Sequence, residues 1–237
     1  MPRVIAVTFA AVLGISTQPT DNAWVFLVDD LHIAFVQTGR LRDLLRTAAK
    51  ELIQEGDRYL FRAPGSSAVS LTRALTADRE SITSVIKMMS GNGLKARDIS
   101  MSYSGTPSMN EVLYRANVSL DAAEEAVYAL TGDAARLQAI VYVSSGYDVE
   151  TFPALEKRVW ALARRARENN ITIFAIDPRG LDTNPLPDSR VDAAMWERYL
   201  VSTRRSLTMM TEETGGFVIE RANEPSPDLK RIGTQMR

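Results

Sequence analysis

Uninterrupted apolar runs alternate along the chain with segments whose apolar residues recur every three or four positions. The long runs are WVFLVDD (24–30), AIVYVSSGYD (139–148) and ITIFAID (171–177), each passing from apolar into polar residues, with a shorter FVIE at 217–220. Strands covered on both faces read this way, because none of their positions meets water. Between them, residues 38–55 place Leu41, Leu44, Leu45, Ala48 and Leu52 on one helical face, with Gly56 as the stop. RYLFRA (58–63), a PGSS turn and AVSLT (68–72) predict a hairpin, so one strand of the sheet runs against the others. Residues 75–89 predict a helix capped by Thr76 or Asp78, with Ile82, Val85, Ile86 and Met89 inward. Further helices are predicted over 111–131, 153–168, 193–213 and 227–236. SGNGLKARDISMSYSGTPSMN (90–110) is rich in Gly, Ser and Asn and predicts a long loop.

Strands alternating with helices of this length predict an α/β, Rossmann-like doubly wound fold: a mostly parallel central sheet, one antiparallel edge strand, and helices on both faces. No internal repeat or linker divides residues 24–237, which form one domain. The segment before it, residues 1–23, has two readings. MPRVIAVTFAAVLGIS carries Arg3, an apolar stretch from Val4 to Ile15 and a small-x-small ending, which fits a secretory signal and an exported, periplasmic destination. It also fits a buried edge strand or a packed N-terminal arm. No other stretch approaches the length needed to span a bilayer.

Charge and composition remove several classes. The 237 residues carry 28 Lys and Arg against 29 Asp and Glu, a net charge of −1, so no global attraction to nucleic acid is expected. The absence of cysteine removes disulfides, thiolate metal sites and thiol nucleophiles. The helix at 153–168 shows Lys157, Arg158, Arg164, Arg165 and Arg167 outward; a solvated face suited to the helix dipole explains them better than an anionic partner does.

Sites in doubly wound sheets form at the carboxyl ends of strands, near the point where strand order reverses. Three ends carry polar groups here: Asp29-Asp30-Leu31-His32, Ser144-Ser145-Gly146-Tyr147-Asp148, and Asp177. A phosphoacceptor receiver domain needs a third strand-ending carboxylate and a late Lys-Pro, and neither occurs. A haloacid-dehalogenase-like phosphatase needs Asp-x-Asp, and Leu31 stands at the second acid. A hydrolase could draw a nucleophile from Ser144 or Ser145, a base from His32 (the chain's one histidine) and an orienting acid from Asp30 or Asp177. Ser-Ser-Gly nevertheless lacks the Gly-x-Ser-x-Gly elbow that exposes such a nucleophile.

Five phrases occur in order: VFLVDDLH, LTADRESI, AIVYVSSGYD, ITIFAIDPRGL and MTEETGGFVIE. Together, over residues 24–236, they resemble a von Willebrand factor type A (VWA) domain, in particular its bacterial VWFA-related branch. The resemblance implies a metal-ion-dependent adhesion site for Mg²⁺ or Mn²⁺, built from Asp-x-Ser-x-Ser, a Thr and a final Asp. A hard cation at about 2.1 Å from six oxygens suits such ligands. Asp29 matches the first acid and is the one clear match. The serine positions fall on Leu31 and Ile33, or on His32 and Ala34 if the register starts at Asp30. Thr106 is the candidate threonine, and the final acid falls on Ser145, so the adhesion motif is degraded and no cofactor is expected.

The implied function is therefore a non-catalytic protein–protein interaction or assembly module with a protein partner. Its rim would comprise Asp29, Asp30, His32, Thr106, Ser144, Ser145, Tyr147 and Asp148, with Met101 and Tyr103 as further contacts. In the family the partner offers a carboxylate to the metal; without a metal the partner chemistry must differ. Two alternatives stand beside this reading: a serine hydrolase-like enzyme using Ser145 and His32, and a VWA domain that still holds Mg²⁺ through Asp29.

Overall fold

The computed structural model describes residues 21–67, 74–102, 108–179, 191–220 and 224–237. Five strands, β1 (Ala23–Val28), β2 (Arg58–Arg62), β3 (Gln138–Val143), β4 (Ile171–Ile176) and β5 (Val218–Ile219), lie in the order β2-β1-β3-β4-β5. All four pairings are parallel, and β1 pairs with β3 in register from Ala23–Gln138 to Val28–Val143. The chain moves from β1 outward to β2 and then returns to the other side of β1 as β3. The order reversal thus falls between β1 and β3, where a doubly wound sheet opens a crevice at its carboxyl edge.

Among the described residues seven α-helices flank the sheet: α1 (Thr38–Leu52), α2 (Ser81–Met88), α3 (Ala96–Ser102), α4 (Ser108–Leu130), α5 (Pro153–Glu168), α6 (Ala193–Glu213) and α7 (Ser226–Gln235). Every residue of β1 is buried, and its alternation divides the core. Trp24, Phe26 and Val28 pack with Leu41, Leu45, Val85, Ile86 and Ile232 on one face. Ala23, Val25 and Leu27 pack with Leu120, Val127, Val159 and Leu207 on the other. The inward face expected for α1 is the one buried, and on α5 Leu155, Val159, Leu162 and Ala166 are buried, leaving the cationic face outward. The outward arginines of α5 meet acids of neighbouring helices: Arg158 bonds Asp121 at 2.6 Å and Glu124 at 2.9 Å, and Arg167 bonds Glu213 at 2.7 Å.

The expected antiparallel edge strand takes a different form among the described residues. β2 is parallel to β1, and the antiparallel contact is an isolated bridge between Tyr59 and Thr76. Residues 68–72, the second arm of the predicted hairpin, lie outside the described residues. The 90–110 stretch is not one long loop, since α3 occupies Ala96–Ser102 and α4 begins at Ser108. Ala96 and Ile99 are buried there, which a polar reading of the segment overlooked. α2 starts at Ser81 rather than 75, because Thr76 and Asp78 spend their side chains on a turn, accepting from the Asp78 and Glu80 N–H groups. No described helix is long and apolar enough to cross a membrane.

Candidate functional site at the strand ends

The ladder of the sheet runs one residue past the strands and sets three polar residues side by side. The N–H of Asp29 donates to Val143, that of Ser144 to Ile176 and that of Asp177 to Ile219. Asp29 and Ser144 flank the order reversal, and Asp177 is next along the edge.

The Asp29 carboxylate is fully buried. Its Oδ1 accepts from Ser119 Oγ at 2.7 Å and faces His32 Nδ1 at 2.9 Å. Its Oδ2 accepts from Ser144 Oγ at 2.7 Å and from the Tyr142 hydroxyl at 3.0 Å. A carboxylate offers about four lone-pair directions, so these four partners complete it. Burial by itself raises the Asp29 carboxyl, but the charge of His32 and hydrogen bonds from His32, Ser119 and Ser144 outweigh it, leaving the group below its ordinary value.

Around this centre the hydroxyls form a directed chain. Burial, reinforced for both by the charge of Asp29, pushes the Tyr142 and Tyr147 phenols well above their ordinary value. Both stay protonated. Tyr142 commits its proton to Asp29, so in the hydrogen bond between the two phenols Tyr147 is the donor. Ser144 Oγ gives its proton to Asp29 and accepts from the Gly146 N–H at 3.0 Å. Tyr147 also stands edge-on to the His32 ring, at 5.1 Å between centroids.

Gly146 makes the turn that returns Tyr147 to this cluster. It has φ +78°, and a Cβ there would lie 2.0 Å from the Thr203 carbonyl oxygen, so no other residue lets the loop lie on α6. The hydroxyl-bearing face of α6 receives the loop: Ser206 Oγ accepts from Tyr147 N–H at 2.8 Å, and Ser202 Oγ donates to Asp148 at 2.6 Å.

Asp30 points elsewhere. Its carboxylate accepts from the Gly65 N–H at 2.7 Å and the Ser67 N–H at 2.9 Å, fastening the turn after β2 to the end of β1. Burial raises its carboxyl, the Ser67 and Gly65 hydrogen bonds oppose, and the charge of Asp29 adds to the rise. Asp177 is held by Arg179, whose Nε and Nη2 reach it at 2.9 Å and 2.8 Å.

The sequence-derived rim is thus brought together only in part. Asp29, His32, Ser144 and Tyr147 form one network, Asp148 borders it through α6, and Asp30 serves a separate turn. Ser145 is buried and bonds neither Asp29 nor His32, and no hydrogen bond joins His32 to Ser144. Thr106 and Tyr103 lie outside the described residues; Met101 lies on α3, 44% exposed. Two members were missed, Ser119 and Tyr142. Each left a faint signal: Ser119 is a polar residue on the helical face of Ala116, Leu120 and Ala123, and Tyr142 a hydroxyl within an apolar strand.

Among the described residues the donor set does not fit the cation that the resemblance implied. Ile33, at one serine position, is wholly buried in the apolar core, and Leu31 offers no oxygen at the other. Asp29 has no acceptor position left over. Among the described residues no group of three or more His, Asp or Glu is placed to hold a metal ion.

No family model matches the chain, and no curated protein matches it. Among solved structures it is similar to the VWA domain of SpRpn10, at 14% identity and a TM-score of 0.40, over 84% of this chain and 86% of that one. It is also similar to the manganese-loaded TRAP protein of Plasmodium vivax, at 8% identity and a TM-score of 0.34, over 83% of this chain and 74% of that one. Likeness at these scores supports no inference about the site or its activity.

Proposed function

We propose that the chain is a VWA-type protein–protein interaction module whose strand-end rim works without catalysis and without a resident metal. The observation that carries this reading is the closed shell around Asp29. Ser119, Tyr142, Ser144 and His32 occupy the carboxylate that a cation would need, and Leu31 and Ile33 replace its oxygen neighbours. Mg²⁺ gives up water reluctantly and requires near-octahedral oxygen ligands in return. An internal hydrogen-bonded plug of this kind fixes the loops of the rim in the way a metal would, and leaves their outer surface for a partner. Phe35 and Val36, on a turn just past the β1 loop, are 72% and 90% exposed and add apolar area there. Against a hydrolase built on Ser144 stands its hydroxyl, whose proton goes to Asp29 and not to His32.

Thermal melts test the metal-free part. The midpoint is expected to stay the same in millimolar Mg²⁺, Mn²⁺ or EDTA. A rise of several degrees with either metal, abolished by Asp29→Ala, would overturn it. A serine-reactive phosphonate is expected to leave Ser144 and Ser145 unlabelled, and partner capture by the immobilised chain is expected to survive EDTA. Labelling of either serine would replace the interaction reading with an enzymatic one.

A further inference from the structure

The exposed pair Phe35 and Val36 sits on the 3-10 turn that leads straight into α1, and Met88 is exposed at the end of α2. Two hydrogen bonds set the end of α2 against the start of α1. Arg42 Nε donates to the Met89 carbonyl at 2.8 Å, and the Gly91 N–H donates to Thr38 Oγ1 at 3.1 Å. The apolar tip therefore stands at the meeting of two helix ends.

The charge at this meeting has one sign. Its ionisable groups are Arg40, Arg42, Asp43 and Arg46 on the first turns of α1 and Lys87 on the last turn of α2. Asp43 is taken by Arg46 at 2.5 Å. Arg40, Arg42 and Lys87 form no ion pair with any described carboxylate; Arg40 donates to the Arg179 carbonyl at 3.4 Å. The acids nearby do not offset them. Asp177 is held by Arg179 at 2.8 Å, Glu111 by Arg115 at 2.6 Å, and past Gly93 Lys95 and Arg97 outnumber Asp98. Of the three free cations Arg42 is half-buried, and with Nε fixed on Met89 its two Nη groups are left for a planar, bidentate acceptor.

Gly39 lies between Phe35 and Arg42 on one stripe of the helix. Its φ is not positive, and a Cβ there would meet nothing within 4 Å, so neither backbone nor packing requires glycine. Its effect is to leave the helix backbone bare between the apolar tip and the guanidinium.

We propose that this surface docks an acidic segment of the protein partner, with a large apolar side chain against Phe35, Val36 and Met88 and carboxylates on Arg40, Arg42 and Lys87. The inference rests on the interaction reading above and gives it a partner chemistry, on α1 and α2 and apart from Asp29. Seven helical residues separate Phe35 from Arg42 by about 10 Å, which an apolar residue and an acid three places apart in an extended segment would span. A fixed guanidinium and a one-residue notch suit a defined peptide better than a fluid lipid surface.

Amide chemical shifts of the intact chain test it, with Ac-Leu-Phe-Glu-Glu-NH2 and Ac-Leu-Phe-Lys-Lys-NH2 as probes. The glutamate probe is expected to shift the amides of 35–42 and 87–91 saturably, less so as salt is raised, and the lysine probe to leave them in place. Arg40→Gln and Lys87→Gln are each expected to weaken the glutamate probe about two- to fivefold, as for exposed charge pairs. Gly39→Gln is expected to weaken it without lowering the melting midpoint, since glutamine favours a helix more than glycine does. All three are exposed positions, and the spectra report whether each variant is folded. No saturable shift with the glutamate probe, equal binding of the lysine probe, or unchanged binding in both charge variants overturns the proposal. Sedimentation of the chain with phosphatidylserine vesicles, without a response to the glutamate probe, would overturn it in favour of a membrane surface. Capture of a partner by the immobilised chain does not depend on these probes, so this inference can fail while the interaction module stands.

Discussion

Asp29 faces α4 and β3 and collects four side-chain partners: His32 three residues on, Ser119 of α4, and Tyr142 and Ser144 at the end of β3. Asp30, one residue on, faces the turn after β2 and collects two backbone N–H groups from Gly65 and Ser67. Both are buried, yet the first is lowered in pKa and the second raised. The difference lies in the kind of partner. The charge of His32 and hydrogen bonds from His32, Ser119 and Ser144 outweigh the desolvation of Asp29. The Ser67 and Gly65 hydrogen bonds bring no opposite charge and do not outweigh the desolvation of Asp30, to which the neighbouring Asp29 charge adds. A pair of acids that reads in sequence as one charged site is therefore two devices, one closing the switch point of the sheet and one fastening an edge turn.

The largest test of that division is truncation of each acid. Asp29→Ala leaves Ser119, Ser144 and Tyr142 buried without their acceptor and is expected to cost about 3–5 kcal/mol. Asp30→Ala strands two N–H groups in a turn that can relax, and about 1–3 kcal/mol is expected. Urea unfolding measures both. Equal losses would show that the two acids belong to one network.

Gly146→Ala attacks the Asp29 side without touching its carboxylate. A Cβ at φ +78° and 2.0 Å from the Thr203 oxygen must push the loop off α6, taking Tyr147 and Ser144 with it. A loss of about 2–4 kcal/mol is expected. Amide shifts should change at 144–148 and 202–206 while those at 64–67, beside Asp30, hold still. Tyr142→Phe removes one donor of the four and is expected to cost about 1 kcal/mol.

Much of the fold was legible because burial on both faces leaves an unmistakable apolar run; β1, β3 and β4 and the helices at 153–168 and 193–213 fall where the periodicity put them. The shorter elements were not legible. Ala96 and Ile99 are the buried residues among the described side chains of α3, too few for a periodicity to stand out among Gly, Ser and Asn. At the site, strand ends pointed to Asp29, His32, Ser144 and Tyr147, since the carboxyl edge collects whatever polar residues end the strands. Ser119 stayed hidden because its partner lies 90 positions away and a serine on a helix has many local uses. The orientation of Asp30 was equally hidden, because which way a residue turns after a strand ends depends on the loop it meets.

The smallest effect expected is also the one that separates the two acids by sign. Asp29 is lowered below the ordinary 3.8, so the unfolded chain holds a proton there that the folded chain has released. Its contribution is complete above pH 3.8 and is lost as pH falls through the folded value. Asp30 is raised above 3.8, so the folded chain holds the proton more tightly. Its contribution is greatest below 3.8 and declines as pH rises through the folded value. Urea midpoints taken from below pH 3.8 to neutrality should therefore lose part of their acid-side fall in Asp29→Asn. In Asp30→Asn they should lose an opposing slope that begins near 3.8 and runs upward. The two variants are compared by slope against pH, because Asp29→Asn also lowers stability throughout. If both substitutions flatten the same limb, the carboxylates titrate as one coupled pair, and the division between plug and fastener fails.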